Sequence, residues 1–407
     1  MKHVTLLLAL GALSSAVLAQ SGQVSQHIQE LRTSGNSFQP VSLFSTPPRS
    51  ATTDALWDRE IARASVLHLN TAGVSSLLRE GPEQVAFALP YESGTITLDL
   101  ERVRITADDF TVVEASTNSV VDMPQGLHYR GMVRGEPGSI VSISVFHGEV
   151  MGLINTDEGS LVLGPIAGAA EGEHVLYKSS DLLDASAPNC AAVDDGVGYT
   201  ADQLAPGSMK TVKCVRFYWE VNYDIFQNKG TVVNATNYVT GLFNQSSTLY
   251  ANDGITVSLQ QVFVWDVPSP YTGGNTNDLL DQFGDYRTSF NGDLAHLLGY
   301  VGSGGVAYVN QLCNSQTRYK MAYSDVNSTY SNVPTYSWSV EVVTHEQGHL
   351  MGSKHTHACV WNGNNTAIDG CGPAAGYVEG SCPQGPVPSS SVGGTIMSYC
   401  HLTGAGI

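Results

Sequence analysis

Basic residues are scarce in this 407-residue chain, which has 19 lysines and arginines against 37 aspartates and glutamates. The formal net charge is −18, and the basic side chains form no cluster. A surface of this sign repels phosphate groups, which argues against nucleic acid or an anionic membrane as a partner. Charged residues make up 14% of the chain and hydrophobic residues 42%, enough for packed cores and too many for disorder throughout. The length favours about two domains.

Long hydrophobic runs are also missing, except at the very start. Residues 1–19 combine a basic Lys2, an apolar run and the small residues Val17 and Ala19. This pattern predicts a secretory signal peptide cleaved after Ala19, the alternative being a buried N-terminal helix or strand. No later stretch approaches the ~18 apolar residues that a membrane span needs. We therefore expect a secreted, extracellular protein without a membrane span, and the oligomeric state is left open.

Cysteines are few but informative in a secreted chain. There are seven, at positions 190, 214, 313, 359, 371, 382 and 400. In an oxidising compartment they should pair, and the odd count leaves one over. Cys190 stands apart from the six that follow residue 210. It is either the cysteine left over or a partner of Cys214, and the pairing of the others stays open.

The chain divides into segments of different texture. Residues 20–185 contain short alternating runs such as GTITLDL and GSIVSISVFHGEVMGLI, which predict a β-rich domain. Residues 179–209 contain no lysine or arginine and little periodicity. We therefore place a linker at 186–209 and a second domain at 210–407.

In the second domain, candidate strands alternate with candidate helices. The strand candidates are KCVRFYWEVNYDIF, GITVSLQQVFVW and GGVAYVNQLC. The helix candidates are ATNYVTGLFNQSSTLY, TNDLLDQFGDY and WSVEVVTHEQGHLMG. This alternation predicts an α/β (α+β) domain with a mixed sheet, preceded by the β-rich domain.

The last of these helices leads into HEQGHLMGSKH, residues 345–355. His345 and His349 are four residues apart and face the same side of a helix, so both imidazoles can reach one metal ion. Zinc binds such nitrogens at about 2.0–2.1 Å. Gly352 is suited to end the helix, because glycine tolerates the left-handed conformation. His355 can then approach the same ion from another side.

Glu346 follows the first histidine and lies about 100° further round the helix. Its carboxylate is expected beside the metal, as a general base for zinc-activated water. Three protein ligands leave a fourth position open, which is typical of a catalytic zinc site. The pattern therefore predicts one catalytic zinc ion. An ordinary amphipathic helix with buried histidines is the alternative, and it leaves the spacing unexplained.

These residues resemble the extended signature of the metzincin clan of zinc endopeptidases. Over residues 210–400 the chain is most similar to the reprolysin-like (adamalysin-related) branch, and residues 129–154 resemble part of that branch's propeptide. The resemblance implies a methionine turn beneath the metal, for which Met397 in GTIMSYC is the candidate. It also implies that GGVAYVNQLC is an edge strand that pairs with extended substrate.

Three further residues matter beside this signature. Tyr399 matches the tyrosine that astacins and serralysins turn toward the metal, which implies oxyanion stabilisation, with core packing as the alternative. Thr356 departs from the pattern, because adamalysins carry an aspartate after the third histidine. Cys190 is a candidate latency switch, since some propeptides of this clan place a cysteine on the zinc. His357 and His401 do not fit the ligand spacing and are expected at the surface or behind the ligands.

The sequence thus predicts a secreted zinc-dependent endopeptidase that is synthesised as a latent proenzyme. Zinc-activated water would hydrolyse peptide bonds of protein or peptide substrates. The alternative is a catalytically idle zinc-binding or adhesion protein that retains the metzincin fold. Glu346 favours the enzyme, because a purely structural metal site has no use for that carboxylate.

Overall fold

A computed structural model of the chain describes residues 22–48, 51–57, 59–183, 189–190, 197–204, 213–326, 333–390 and 392–406. The predicted signal peptide, residues 1–19, lies outside these ranges, as do parts of the predicted linker. Among the helices that the structure describes, none combines the length and the apolar character needed to cross a membrane.

The described ranges contain two sheets. Their strands are β1 (Gln39–Ser42), β2 (Phe44–Ser45), β3 (Ser65–Leu69), β4 (Gln84–Tyr91), β5 (Gly94–Val103), β6 (Thr106–Glu114), β7 (Ser119–Val121), β8 (Leu127–Val133), β9 (Ile140–Phe146), β10 (Glu149–Thr156), β11 (Gly159–Pro165), β12 (Glu173–Lys178), β13 (Asn189–Cys190), β14 (Val215–Val221), β15 (Val257–Val264), β16 (Leu294–Gly299), β17 (Gly304–Ala307) and β18 (Met321–Asp325).

The α-helices in the same ranges are α1 (Gln23–Thr33), α2 (Ala51–Trp57), α3 (Thr71–Glu80), α4 (Ala201–Leu204), α5 (Tyr223–Lys229), α6 (Val232–Asn252), α7 (Thr276–Tyr286), α8 (Tyr336–Met351) and α9 (Cys371–Ala374). Short 3₁₀ turns lie at Ser179–Asp181, Thr317–Lys320 and Cys400–Leu402.

The N-terminal sheet has the strand order β1-β4-β5-β8-β9-β10-β11-β12-β3-β2. Most neighbouring strands within this sheet are antiparallel and joined by short turns, as the alternating runs predicted. Both faces of β9 are buried. Ile143 packs with Val74 and Leu77 of α3, and α6 covers the other face.

The C-terminal sheet is mixed, with the order β13-β17-β18-β16-β14-β15-β6-β7. Strands β14, β15, β16 and β18 run parallel to one another, while β17 runs antiparallel to its neighbour β18. Helices α6 and α8 pack beside this sheet. The prediction of a mixed α/β (α+β) fold with an active-site helix is confirmed, with a β-rich region before it.

The first region contributes strands to the second. Strand β6 leaves the N-terminal sheet after β5 and pairs in parallel with β15, so that Val112 lies beside Val262. Ile105 and Val112 are buried in the same cluster as Leu259 and Val262, which is the physical reason for the crossing. The segments 20–185 and 210–407 therefore share one sheet and one hydrophobic core.

Helix α6 connects the two sheets to the site. The side-chain amide of Asn244 donates to the Ile143 carbonyl of β9 at 3.1 Å. Near its end, the Tyr250 hydroxyl donates to the Thr344 carbonyl of α8 at 2.6 Å. Because these polar groups are buried and paired, α6 fixes the position of α8 relative to β9.

Two predicted strands differ in extent from the structure. The run 213–226 forms β14 only to Val221, because the Asn222 side chain accepts from the Tyr223 amide and begins α5. The run 304–313 is a strand only over Gly304–Ala307. Helices α6, α7 and α8 lie where the apolar periodicity predicted them.

Candidate active site

Helix α8 presents the first two histidines and then stops abruptly. Gly352 has a φ of 112°, a left-handed conformation that residues with a Cβ rarely adopt. The Gly352 amide donates to the His349 carbonyl at 2.9 Å, and the Ser353 amide donates to the Gly348 carbonyl at 2.8 Å. These bonds satisfy the end of the helix and turn the chain back toward its own face.

The turn brings three imidazoles to one point. The Nε2 atoms of His345, His349 and His355 lie 3.1 Å from one another. An ideal tetrahedral site with Zn–N bonds of 2.0–2.1 Å has edges of about 3.3–3.4 Å, so these nitrogens fit one zinc ion with only small adjustment. All three side chains are buried, and the predicted ligand set is therefore assembled.

The other ring nitrogen of each histidine is occupied. His345 Nδ1 lies 2.7 Å from the Ile396 carbonyl, and His349 Nδ1 lies 2.8 Å from the Ser353 carbonyl. His355 Nδ1 lies 2.6 Å from Oε1 of Glu379. Each acceptor requires a proton on Nδ1, which leaves the lone pair of each Nε2 free for a metal.

The protonation of the first two histidines suits metal binding. Burial lowers the pKa of His349 to about 3 and that of His345 well below its usual range. The neighbouring imidazoles lower both pKa values further. Both rings are therefore neutral at physiological pH, the form in which histidine ligates metals.

Glu346 lies beside the three nitrogens and is completely buried. Within the described residues, no nitrogen or oxygen atom donates a hydrogen bond to either carboxylate oxygen. The group that interacts with the carboxylate is the Cys190 thiol. Burial raises the pKa of Glu346 to about 8, and this thiol opposes the shift. Strand β17 leaves room for the carboxylate because a Cβ on Gly305 would lie 2.4 Å from Oε1.

Met397 lies under α8, as the resemblance implied. A Cβ on Gly348 would lie 2.7 Å from the Met397 sulfur, so the thioether contacts the helix between the two ligands. The Met397 carbonyl accepts from the Thr356 amide at 3.1 Å. The methionine turn therefore holds the chain directly after His355.

Tyr399 is buried against the ligands. Its ring centroid is 4.8 Å from that of His355, and its hydroxyl donates to the Cys190 carbonyl at 2.9 Å. Burial raises the pKa of Tyr399, and the nearby Cys190 raises it further. The hydroxyl is therefore a proton donor at neutral pH.

The predicted linker reaches the centre of the site through β13. Cys190 pairs in parallel with Gly305 of β17, so that β13 forms the edge of the sheet here. Its sulfur lies 3.5 Å from His349 Nε2, and the ligand atoms of Cys190, His345, His349 and His355 all lie within 4.8 Å of one another. The thiol thus occupies the open side of the three-nitrogen cluster.

The cysteines pair less completely than predicted. All seven lie in the described ranges, and the disulfides are Cys359–Cys382 and Cys371–Cys400. Cys190, Cys214 and Cys313 form no disulfide. The expectation of a single cysteine left over is therefore wrong, and the alternative bond from Cys190 to Cys214 is not formed. The three sulfurs lie in separate parts of the fold, at β13, ahead of β14 and after β17.

Three further residues lie near the candidate ligands, and of these Glu379 carried no signal in the sequence. Glu379 accepts from His355, and His357 stacks on the His355 ring with an interplanar angle of 9°. His357 is completely buried, so the option of a surface position is wrong and it lies behind the ligand. His401 Nδ1 lies 2.8 Å from Glu341 at the cavity beside the cluster. No helical or strand period corresponds to the 24 residues between His355 and Glu379, so the sequence could not reveal this pair.

Comparisons with known proteins agree with this geometry. Residues 217–404 match the reprolysin-type family model described as Metallo-peptidase family M12. Human disintegrin and metalloproteinase domain-containing protein 32 is 24% identical over 54% of this chain and 30% of its own length. Human disintegrin and metalloproteinase domain-containing protein 2 is 23% identical over 60% of this chain and 35% of its own length. The chain thus spans about a third of these relatives.

One solved structure overlaps the fold loosely. Metalloproteinase-II from Bacteroides fragilis covers 81% of this chain and 94% of its own, with a TM-score of 0.44 and 11% sequence identity. That overlap is too loose to inform the site. The family match instead covers the histidine cluster, Glu346 and Met397 together. Residues 217–404 are thus similar to the reprolysin-type metallo-peptidases of family M12, in agreement with the predicted resemblance.

Proposed function

We propose that the chain is a secreted, zinc-dependent endopeptidase that is made as a latent proenzyme. The observation that carries this proposal is the set of three imidazole nitrogens, 3.1 Å apart, with the buried Glu346 carboxylate beside them. The two disulfides support an oxidising, extracellular location. The substrates would be proteins or peptides.

His345, His349 and His355 would hold one zinc ion, and the donor set fits because each Nε2 carries a free lone pair. When bound, zinc supplies a Lewis acid that polarises the peptide carbonyl and makes water more acidic. Glu346 would accept the proton of the attacking water and pass it to the leaving amine. Its two oxygens suit this role because no strong donor competes for them among the described residues.

Strand β17 and Tyr399 would position the substrate. Strand β17 lies next to Glu346 and would become the edge of the sheet once β13 leaves, so that an extended peptide could add there as a strand. The Tyr399 hydroxyl now donates to the Cys190 carbonyl. After the linker leaves, the same hydroxyl would be free to donate to the oxyanion that forms during hydrolysis.

Latency would come from the linker, which pairs with β17 and accepts the hydrogen bond from the Tyr399 hydroxyl. Cys190 takes the edge of β17 and the open side of the histidine cluster. Further along, the Tyr199 hydroxyl donates to the Gly352 carbonyl at 2.7 Å, and the Lys354 ammonium donates to the Val197 carbonyl at 2.5 Å. The linker is thus anchored to the turn that directly precedes His355, and substrate would not enter while it stays.

The activity is tested by casein cleavage with the full-length and the proteolytically matured chain. We expect the matured chain to cleave casein, to lose activity with a zinc chelator and to regain it with added zinc. The Glu346→Ala chain should bind zinc equally well and cleave nothing. Zinc binding without cleavage by the matured wild-type chain would instead support the idle zinc-binding protein, and cleavage that survives zinc removal would exclude the mechanism.

The latency proposal is tested separately with Cys190→Ser. Because serine is a poor zinc ligand, the unprocessed variant should cleave a short fluorogenic peptide that the unprocessed wild-type chain leaves intact. Cys313→Ser is the matched control, since Cys313 is exposed and forms no disulfide. If the Cys190→Ser precursor is as inactive as the wild-type precursor, the thiol is not the switch.

A further inference from the structure

We propose that Glu379 is the positioning residue of the third zinc ligand, and that the Cys359–Cys382 disulfide holds it in place. Glu379 lies 24 residues after His355, in a loop without regular structure, and its Oε1 is 2.6 Å from His355 Nδ1. The inference rests on the zinc site of the proposed function. It concerns how firmly that site holds its metal.

His355 needs such a partner more than the other two ligands do. His345 and His349 lie within α8, and their Nδ1 atoms donate to backbone carbonyls. His355 lies beyond the helix, in a segment without regular structure. Its backbone carbonyl accepts from the Trp361 indole at 2.7 Å, but the orientation of its ring depends on the bond to Glu379. A carboxylate acceptor forms a charge-assisted bond and increases the basicity of Nε2.

The neighbouring residue in the sequence cannot supply this carboxylate. Position 356 is threonine, and its hydroxyl and amide both donate to the Met397 carbonyl. The fold therefore brings an acid from a distant loop. His357 stacks on His355 with ring centroids 5.0 Å apart, and its Nε2 lies 3.5 Å from the same Oε1. Oε1 of Glu379 thus lies near a nitrogen of each of the two stacked imidazoles, and both rings help to keep it at His355.

The loop that carries Glu379 is attached to the site by a disulfide. Cys382 is three residues after Glu379, and Cys359 is four residues after His355. The sulfur of Cys359 also lies 3.1 Å from the Glu379 carbonyl. Gly380 packs against it, since a Cβ there would lie 2.6 Å from that sulfur. The disulfide closes the loop 359–382, which contains Glu379 and begins four residues after His355, so it shortens the covalent path between the ligand and its carboxylate.

The test measures zinc affinity rather than catalysis. The full-length chain in a Glu346→Gln background, which prevents self-cleavage, is titrated against a chromophoric zinc chelator. Glu379→Ala should raise the zinc dissociation constant about 10- to 100-fold, the usual effect of removing a carboxylate behind a histidine ligand. Glu379→Gln keeps a carbonyl acceptor without the charge and should restore part of the affinity. Glu171→Ala removes an exposed carboxylate far from the site and should change nothing.

The disulfide is tested by combining variants. Replacing Cys359 and Cys382 with serine should weaken zinc binding in the chain that has Glu379, and should add nothing in the Glu379→Ala chain. A loss of equal size in both chains would show that the disulfide acts independently of Glu379, and would overturn that part of the inference.

The remaining outcomes separate this inference from the proposed function. An unchanged dissociation constant in Glu379→Ala, with zinc still bound, overturns the role of Glu379 and leaves the peptidase proposal intact. A chain with wild-type Glu379 that binds no zinc overturns both. If Glu379→Ala does not fold, the zinc dissociation constant of Glu379→Gln is compared with that of the control Glu171→Ala. Equal dissociation constants in these two variants would contradict the role of Glu379.

Discussion

The hydroxyl of Tyr399 is expected to hold the proenzyme closed, so its removal should loosen the linker. In the structure it donates to the Cys190 carbonyl at 2.9 Å from a side chain that is 2% exposed. Tyr399→Phe removes this donor while it keeps the ring contacts with the histidines. The Cys190 carbonyl would then lose the hydrogen bond from Tyr399, and it would lose it in the closed form only.

The size of the effect follows from the cost of removing one partner of a buried hydrogen bond. Leaving a buried polar group without its partner costs about 1–3 kcal/mol. Since about 1.4 kcal/mol corresponds to a factor of ten, the opening equilibrium of the linker should rise about 5- to 150-fold. Opening exposes Cys190, and its rate of reaction with a thiol reagent should rise by the same factor when closing is fast.

The assay is alkylation of the full-length chain, read cysteine by cysteine through peptide mass spectrometry. Cys313 is exposed and serves as the internal reference. Tyr377→Phe is the matched control, because its ring packs on Tyr399 at 5.1 Å, while the bond to the Cys190 carbonyl comes from Tyr399 itself. Equal alkylation rates of Cys190 in the wild-type and Tyr399→Phe chains would refute the reasoning. In the matured enzyme the same variant should lower kcat with little change in KM, since the hydroxyl would act on the transition state.

Three further predictions concern stability. Zinc at a thousand-fold excess over its dissociation constant should stabilise the chain by about 4 kcal/mol, so a chelator should lower the unfolding temperature, and an equal temperature with and without zinc would contradict a folded-state site. Gly352→Ala should destabilise the chain by about 1–3 kcal/mol in urea unfolding. The reasons are the φ of 112° at this position and the new Cβ, which would lie 3.2 Å from Asn310 Oδ1. A smaller loss would show that the helix end can relax. Burial lowers the pKa of His174 from 6.5 to about 4, so its neutral form stabilises the fold above pH 6.5 and this contribution is lost as the pH falls to about 4. Between pH 7 and pH 4.5, His174→Gln should lose about 2–3 kcal/mol less free energy of unfolding than the wild-type chain. Equal losses in the two chains would contradict this.

The sequence predicted those parts of the fold that depend on local periodicity. Helices α6, α7 and α8 follow from apolar spacing, and the end of α8 follows from Gly352. The cluster of three histidines was predictable because two share one helix face and the third follows a glycine turn. These features are encoded within eleven consecutive residues, 345–355.

Non-local features could not be read in the same way. Strand β16, LAHLLG, is buried on both faces and shows no alternation, so the pattern did not distinguish it. The pairing of β6 with β15 joins residues about 150 positions apart, and only tertiary packing selects it. Glu379 reaches His355 through an irregular loop, for which no spacing rule exists.

The metal site itself offers the most direct measurement, which is anomalous diffraction at the zinc edge from crystals of the full-length chain. The account predicts a single strong peak within about 2.0–2.1 Å of the Nε2 atoms of His345, His349 and His355. It also predicts the Cys190 sulfur as the neighbour on the open side. A peak held by other residues, or histidine rings turned away from a common point in zinc-soaked crystals, would contradict it.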